Sequence, residues 1–222
     1  YNQQLLMQVP DPLYKRSEPD VSGARLIIEE ALAEKRHSLS DMETMAVLRA
    51  FSIPVVTIME ADNANQALVM AESLGFPVVM KINSPDIVHK SDVSGVRLNI
   101  NNAASVRHVF NELIETAREK SPDAVIHGVT IESMYQRAHS REIMIGVMRD
   151  PVFGPAISFG AGGTMVEIMR DRVISLPPIN RFIAQRIIAG SKVSKLLGPF
   201  RHMPAVNMRE LENVLLRVSE MV

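Results

Sequence analysis

The chain has 222 residues, 46% of them hydrophobic, which is enough to bury a core as one bilobed domain or two small ones. A formal net charge of -1 gives no polyanion-binding signature and argues against a nucleic acid partner. The sequence contains no apolar run of about 18 residues, the length that would predict a membrane span. The lack of cysteine excludes disulfides and thiol catalysis. We therefore expect a cytoplasmic protein without a membrane partner.

The first part of the chain predicts a linker followed by helices. Residues 1–22 carry prolines among polar residues and predict an extended linker from a preceding domain. Residues 23–54 predict a helical lead-in, whose second helix begins at a capping box formed by Ser40 and Glu43. Because the chain starts without an initiator methionine and stops inside a helical pattern, we expect it to be part of a longer protein.

The remaining chain alternates between strand and helix patterns. We predict strands at 55–59, near 78–82, and at 96–100, 125–132, 142–148 and 155–159, with helices at 64–74 after an Asp62 cap, at 103–119, at 181–189 and from Met208 after an Asn207 cap. Since no helix separates the last three strands, we expect them to pair antiparallel. The pattern predicts an α+β fold of two lobes, at about 55–131 and 132–222.

The segment from Lys81 to Gly95 carries the strongest functional signal. Lys81 leaves a predicted buried strand, so a rigid scaffold would hold an ammonium that needs an anionic partner such as a phosphate or a carboxylate. His89 follows, just before a small polar loop at residues 91–95. A lysine, a histidine and a loop rich in hydroxyls and backbone donors favour phosphoryl chemistry. A solvated loop without function is the alternative.

A second candidate is the glycine turn Gly160-Ala161-Gly162-Gly163, which ends a predicted strand. Glycines allow backbone N–H groups to approach a phosphate closely, but tight hairpins use the same residues. Carboxylates stand at the edges of neighbouring elements, namely Glu132, Glu142 and Glu167. These can bind ribose hydroxyls or Mg²⁺, or they can be ordinary solvated surface residues.

These segments in this order resemble the ATP-grasp (β-subunit-like) part of NDP-forming acyl-CoA synthetases. The resemblance covers about residues 23–222 and rests on residues 75–81, 84–92, 149–155 and 160–163, together with Gly95, Val96 and Glu167. It implies a two-lobed ATP-grasp fold, truncated at its C-terminus, with ATP or ADP bound between the lobes and Mg²⁺ as the metal. It also implies an acid–thiol ligase that transfers phosphate between acyl phosphate and ADP through phosphohistidine.

The resemblance also implies roles for individual residues. Lys81 would contact the nucleotide phosphates, and Glu132-Ser133-Met134 would form the hinge that meets adenine through its backbone. Glu142 would lie on the ribose or phosphate side, and His89 is the candidate phosphoryl carrier. The residues expected to line the phosphate channel are Ser91, Asp92, Ser94, Gly95, Gly160, Gly162 and Gly163.

The family pattern continues past this chain. Its metal site is completed by an Asn-Pro-containing strand and an acidic residue beyond the last helix, so we expect the main metal ligands beyond Val222. The CoA-binding and ligase domains would belong to the same protein or to a partner subunit, so we expect this fragment alone to be inactive. The alternative is a ligand-sensing or assembly module of a bacterial protein-lysine acetyltransferase with little or no synthetase activity, because the first residues resemble the connector of fused versions.

Overall fold

A computed structural model describes residues 18–87, 89–135, 140–163, 171–199 and 201–222. The helices are α1 (Val21–Ala33), α2 (Asp41–Ala50), α3 (Ala64–Leu74), α4 (Ala103–Lys120), α5 (Arg181–Gly190), α6 (Ser194–Leu197) and α7 (Met208–Glu220). The strands are β1 (Ile58–Ala61), β2 (Val78–Asn83), β3 (Val96–Ile100), β4 (Gly128–Ser133), β5 (Ile143–Asp150), β6 (Gly154–Ala161) and β7 (Val173–Ser175). This is the predicted mixture of helices and antiparallel strands.

The chain divides into two compact units. The N-terminal unit comprises Ser22–Arg49 and Pro54–Gln136, and the C-terminal unit comprises Ala50–Ile53, the chain from Arg137 onward and the described residues before Ser22. Most of the predicted helical lead-in therefore belongs to the N-terminal unit. None of the helices within the described ranges combines the length and apolarity needed to cross a membrane.

The N-terminal unit is built on a four-stranded antiparallel sheet in the order β1-β4-β2-β3. One face of the sheet is apolar because alternate residues such as Val78, Met80 and Ile131 point to the same side and are fully buried. Helices α3 and α4 cover this face with small and large apolar side chains, including Ala67 and Leu113. The opposite face mixes polar residues such as Lys81 and Glu132 with the buried apolar side chains of Val79 and Ile58, and it positions the candidate site described below.

Two helix starts in this unit show how local chemistry sets the boundaries. At α2 the predicted capping box is confirmed: the Ser40 N–H donates to Glu43 Oε2 at 2.7 Å, and the Glu43 N–H donates to Ser40 Oγ at 3.2 Å. At α3 the prediction of an Asp62 cap is wrong by one residue. Asn63 is the cap, since its Oδ1 accepts from the N–H groups of residues 65 and 66, and Asp62 instead accepts from the Asn63 side-chain amide.

The C-terminal unit contains a three-stranded antiparallel sheet in the order β5-β6-β7, packed against α5, α6 and α7. The predicted antiparallel pairing of β5 with β6 is confirmed. The expectation that 125–132 would join them is wrong, because β4 pairs with β1 and β2 in the other sheet. The short elements β7 and α6 were not predicted.

Candidate functional site

Lys81 lies on the polar face of the N-terminal sheet beside Glu132. The register of β2 and β4 pairs Lys81 with Thr130 and Val79 with Glu132, so Lys81 and Glu132 are diagonal neighbours on one face. Their side chains form an ion pair with 2.5 Å between Lys81 Nζ and Glu132 Oε1, and they are 31% and 17% exposed. The anionic partner that Lys81 needs is thus a carboxylate of the protein itself, while the ammonium stays within reach of a ligand.

His89 belongs to a compact turn that follows β2. The His89 carbonyl accepts from the Asp92 N–H at 3.0 Å, and the Lys90 carbonyl accepts from the Gly95 N–H at 2.7 Å. Gly95 is required here because a Cβ would lie 2.7 Å from Ile82 Cγ2 and 2.9 Å from the Lys90 carbonyl oxygen. The backbone of the turn is therefore well held, whereas the His89 side chain is exposed.

A cavity of about 380 Å³ within the N-terminal unit brings these residues together. Of the residues predicted from the sequence, it is lined by Lys81, His89, Ser91, Asp92 and Glu132. Asp41, Met45, Ile58 and Lys90 also line it. The cavity thus combines two ammonium groups, an imidazole and a hydroxyl, which are groups that bind and transfer phosphate.

Asp41 is a lining residue that sequence reasoning missed. Its Oδ1 accepts from Lys90 Nζ at 3.1 Å, so the second lysine of the cavity also has a carboxylate partner. Asp41 opens α2, directly after the Ser40 cap, and an acid at that position usually signals only a stabilised helix start. Its position beside the His89 turn depends on packing between segments distant in sequence, which the local pattern does not encode.

Other predicted residues of this unit lie elsewhere. The Ser94 hydroxyl accepts from Lys120 Nζ at 2.6 Å, and neither Ser94 nor Gly95 lines the 380 Å³ cavity. In the predicted hinge, Ser133 closes the ladder between β4 and β2, and the Met134 N–H donates to the Pro77 carbonyl at 3.0 Å. The hinge segment is therefore the end of a well-paired strand.

In the C-terminal unit, Glu142 and the glycine turn lie against each other. The Gly162 N–H donates to the Glu142 carbonyl at 2.9 Å, and a Cβ on Gly163 would overlap the Glu142 carboxylate. A Cβ on Gly160 would overlap the Asp171 carbonyl oxygen. The chain's own close packing is thus sufficient to explain these glycines, as the hairpin alternative expects, and the phosphate cradle stays a prediction. Glu167 lies outside the described residues.

Across the ranges that the structure describes, histidine, aspartate and glutamate side chains form no cluster of three that would hold a metal ion. Two carboxylates of the cavity, Glu132 and Asp41, are instead engaged by lysines. Mg²⁺ prefers several oxygen ligands in octahedral geometry and often takes some of them from substrate phosphates. The described side chains therefore do not form a magnesium site by themselves.

Comparisons with known proteins give one consistent result. A family model described as ATP-grasp domain matches residues 30–222. The chain is 39% identical over 201 residues to the β subunit of acetate–CoA ligase (ADP-forming) I of Pyrococcus furiosus, covering 90% of this chain and 85% of that protein. It is 36% identical to the 4-hydroxybutyrate–CoA ligase (ADP-forming) of Nitrosopumilus maritimus, over 90% of this chain but 28% of that protein.

Solved structures agree with the sequence comparisons. The dinucleotide-forming acetyl-coenzyme A synthetase 1 of Ca. Korarchaeum cryptofilum, in complex with coenzyme A, Ca-AMPCP and HgCl⁺, matches with a TM-score of 0.85 and 35% identity, covering 89% of this chain and 86% of that one. A second structure of that synthetase holds coenzyme A and Mg-AMPPCP, with its phosphohistidine segment pointing towards the nucleotide-binding site. It matches with a TM-score of 0.76 and 32% identity, covering 89% of this chain and 84% of that one.

Proposed function

This chain belongs to the ATP-grasp family, as the β-subunit-like part of the ADP-forming acyl-CoA synthetases, and from that premise we propose how its residues act. Lys81 binds the phosphates of ADP or ATP, and His89 carries the phosphoryl group on its way between acyl phosphate and ADP. The observation that carries this proposal is that Lys81, His89 and Glu132 line one and the same cavity. The acetyltransferase-module alternative has no separate observation in its favour.

Lys81 is suited to phosphate binding because it is held and still accessible. Lys81 lies on β2, which holds its backbone in place. The ammonium has three N–H donors, and the contact with Glu132 Oε1 uses one of them. A phosphate oxygen can therefore join the ammonium without displacing Glu132. The charge-assisted hydrogen bond formed in this way is among the stronger single contacts a protein offers to an anion.

His89 is suited to phosphoryl transfer because its imidazole is exposed beside the same cavity. In the direction of ATP synthesis, an imidazole nitrogen attacks phosphorus, the bond from phosphorus to the departing group breaks, and phosphohistidine forms. A β-phosphate oxygen of ADP then attacks the same phosphorus, the P–N bond breaks, and ATP and neutral imidazole result. A neutral imidazole nitrogen is a nucleophile, and imidazole is an acceptable leaving group from phosphorus.

The remaining assignments complete the proposal. The segment from Glu132 to Met134 meets adenine through its backbone. Mg²⁺ would bind together with the nucleotide phosphates, as in the relative's Mg-AMPPCP complex, and would neutralise part of their charge. The CoA-binding and ligase domains are supplied by the same protein or by a partner subunit, in the cytoplasm.

Nucleotide titration tests the role of Lys81. In the full synthetase that contains this chain, Lys81→Ala should weaken ADP binding by about 1.5–3 kcal/mol, or roughly 10–150-fold, because a charge-assisted contact to phosphate is lost. Calorimetry measures the affinity, and thermal unfolding verifies that the variant is folded. Arg107→Ala is the matched control, since it removes a positive charge from α4 in the same unit. Equal ADP affinity in a folded Lys81→Ala protein would contradict the assignment.

A further inference from the structure

The turn that carries His89 is tied to helix α2 through the next residue. Lys90 Nζ donates to Asp41 Oδ1 at 3.1 Å, and the two side chains are 21% and 30% exposed. The two residues are 49 positions apart in the sequence, so the contact connects two segments that are not neighbours along the chain. On its main chain, Lys90 also accepts from the Gly95 N–H.

The other side of His89 is anchored in the core. Ile87 is 6% exposed and packs in a cluster with Ile82 and Ala117. The backbone of His89 is therefore bracketed between an apolar anchor at Ile87 and an ionic anchor at Lys90. Because the imidazole itself is exposed, its position relative to Lys81 depends on these two anchors together with the backbone hydrogen bonds of the turn.

We propose that Asp41 is a positioning residue for phosphoryl transfer: acting through Lys90, it holds the His89 turn so that the imidazole faces the cavity that contains Lys81. This inference rests on the proposed function of His89. Group transfer requires reacting atoms about 3–3.5 Å apart with aligned orbitals, and a displacement of about 1 Å costs roughly 100-fold in rate. The backbone hydrogen bonds preserve the shape of the turn, whereas the Lys90–Asp41 contact ties the turn to α2. We expect loss of that contact to shift the turn by such a distance while leaving Lys81 and its nucleotide contact in place.

A competing role for the same ion pair makes the opposite prediction. If Lys90 bound the phosphoryl group directly, Asp41 would compete with phosphate for the ammonium. Neutralising Asp41 would then free Lys90 and speed the reaction. If Asp41 positions the turn, neutralising it slows the reaction. The sign of the change therefore separates the two roles.

The test follows the phosphorylation of His89 in the full synthetase. Radiolabelled ATP is supplied, and the rate of label entry into the peptide that contains His89 is measured together with the ATP dissociation constant. Asp41→Asn should slow labelling by about 10–100-fold while changing ATP affinity by less than about twofold, because a positioning residue acts on the transfer and not on ground-state binding. Asp41→Glu, which keeps the carboxylate, should recover most of the rate.

Lys90→Met provides a second variant that leaves the acidic start of α2 intact. If the pair acts as one unit, the double variant should be no slower than the slower single variant. Glu119→Gln is the matched control, because it removes an exposed carboxylate from α4 in the same unit, away from the cavity, and should label at the parent rate. Labelling of Asp41→Asn at or above the parent rate would overturn the inference. An unlabelled His89 peptide in the parent would instead overturn the proposed function, and the inference with it.

Discussion

Lys81 and Lys90 each pair with a carboxylate beside the same cavity, so neither ammonium lacks a partner before a ligand arrives. This pairing removes the cost of leaving an ammonium partly buried without a partner. The ion pairs also restrict both lysine side chains before a ligand binds. Phosphate binding therefore costs less side-chain conformational entropy. The residues of the proposed site are thus prepared for an anion by ordinary stabilising contacts.

The pair of Arg36 with Glu43 makes a pH-dependent contribution to stability. The Arg36 guanidinium, aided by the Ser40 N–H, lowers the pKa of Glu43 from 4.5 to about 2. A carboxyl whose folded pKa is lowered stabilises the fold fully above its unfolded pKa and loses that contribution as pH falls through the folded value. The difference in unfolding free energy between the parent and Glu43→Gln should therefore be constant above about pH 5 and shrink towards pH 2. Urea unfolding across this range measures it, and a difference that does not change with pH would contradict the ion pair.

At the residue scale, sequence reasoning predicted which side chain needs an ionic partner better than it predicted which residue that partner is. The sequence predicted that Lys81 needs an anion, because a lysine leaving a buried strand cannot stay unpaired. It did not predict that Glu132 is that anion, since their contact depends on the register between β2 and β4. The same reason hid Asp41, whose contact with Lys90 depends on how α2 packs beside the His89 turn.

At the scale of elements, two aspartates of the C-terminal unit each accept hydrogen bonds from two successive backbone N–H groups. They differ in burial, and burial decides how much this arrangement contributes to the free energy of unfolding. The Asp171 carboxylate accepts from the N–H groups of Lys192 and Val193 at 2.6 and 2.7 Å, just before α6, and Asp171 is 7% exposed. Asp150 accepts from the N–H groups of Val152 and Phe153 at 2.8 and 2.9 Å in an exposed hairpin turn. The Phe153 and Val152 N–H groups lower the pKa of Asp150 below its usual value.

Removing these two carboxylates should have unequal effects on stability. Asp171→Ala should cost about 2–4 kcal/mol, because it leaves partly or fully buried N–H groups without acceptors. Asp150→Ala should cost clearly less than Asp171→Ala, since water can replace the exposed acceptor. Chemical denaturation of both variants beside the parent gives the comparison. Equal losses would mean that Asp171 does not hold the start of α6.

Elements with strong local signals were predicted, and those that depend on distant contacts were not. The capping box of α2 and the apolar face of α4 are encoded within a few turns of chain. The sheet to which β4 belongs is not, because its neighbours β1 and β2 are remote in sequence. The strand β7 has three residues and the helix α6 has four, which is too short for a periodic pattern to appear.

At the scale of the whole molecule, the resemblance to a known family predicted the fold and the class of enzyme, which local sequence patterns alone did not. It predicted an ATP-grasp member of the ADP-forming acyl-CoA synthetases, and the family match over residues 30–222 confirms this. The structure adds that Lys81 and His89 lie in the N-terminal unit, while Glu142 and the glycine turn lie in the C-terminal unit. The proposed phosphoryl transfer by His89 therefore depends first on residues of the N-terminal unit.

The most direct test of the central claim is His89→Ala in the full synthetase, with His108→Ala on the exposed face of α4 as its matched control. Two quantities are measured: acyl-CoA-dependent ATP formation and ADP affinity. His89→Ala should abolish turnover yet change ADP affinity by less than about twofold, because a nucleophile acts on the reaction and not on ground-state binding. Unchanged turnover in the His89→Ala synthetase would show that His89 carries no phosphoryl group.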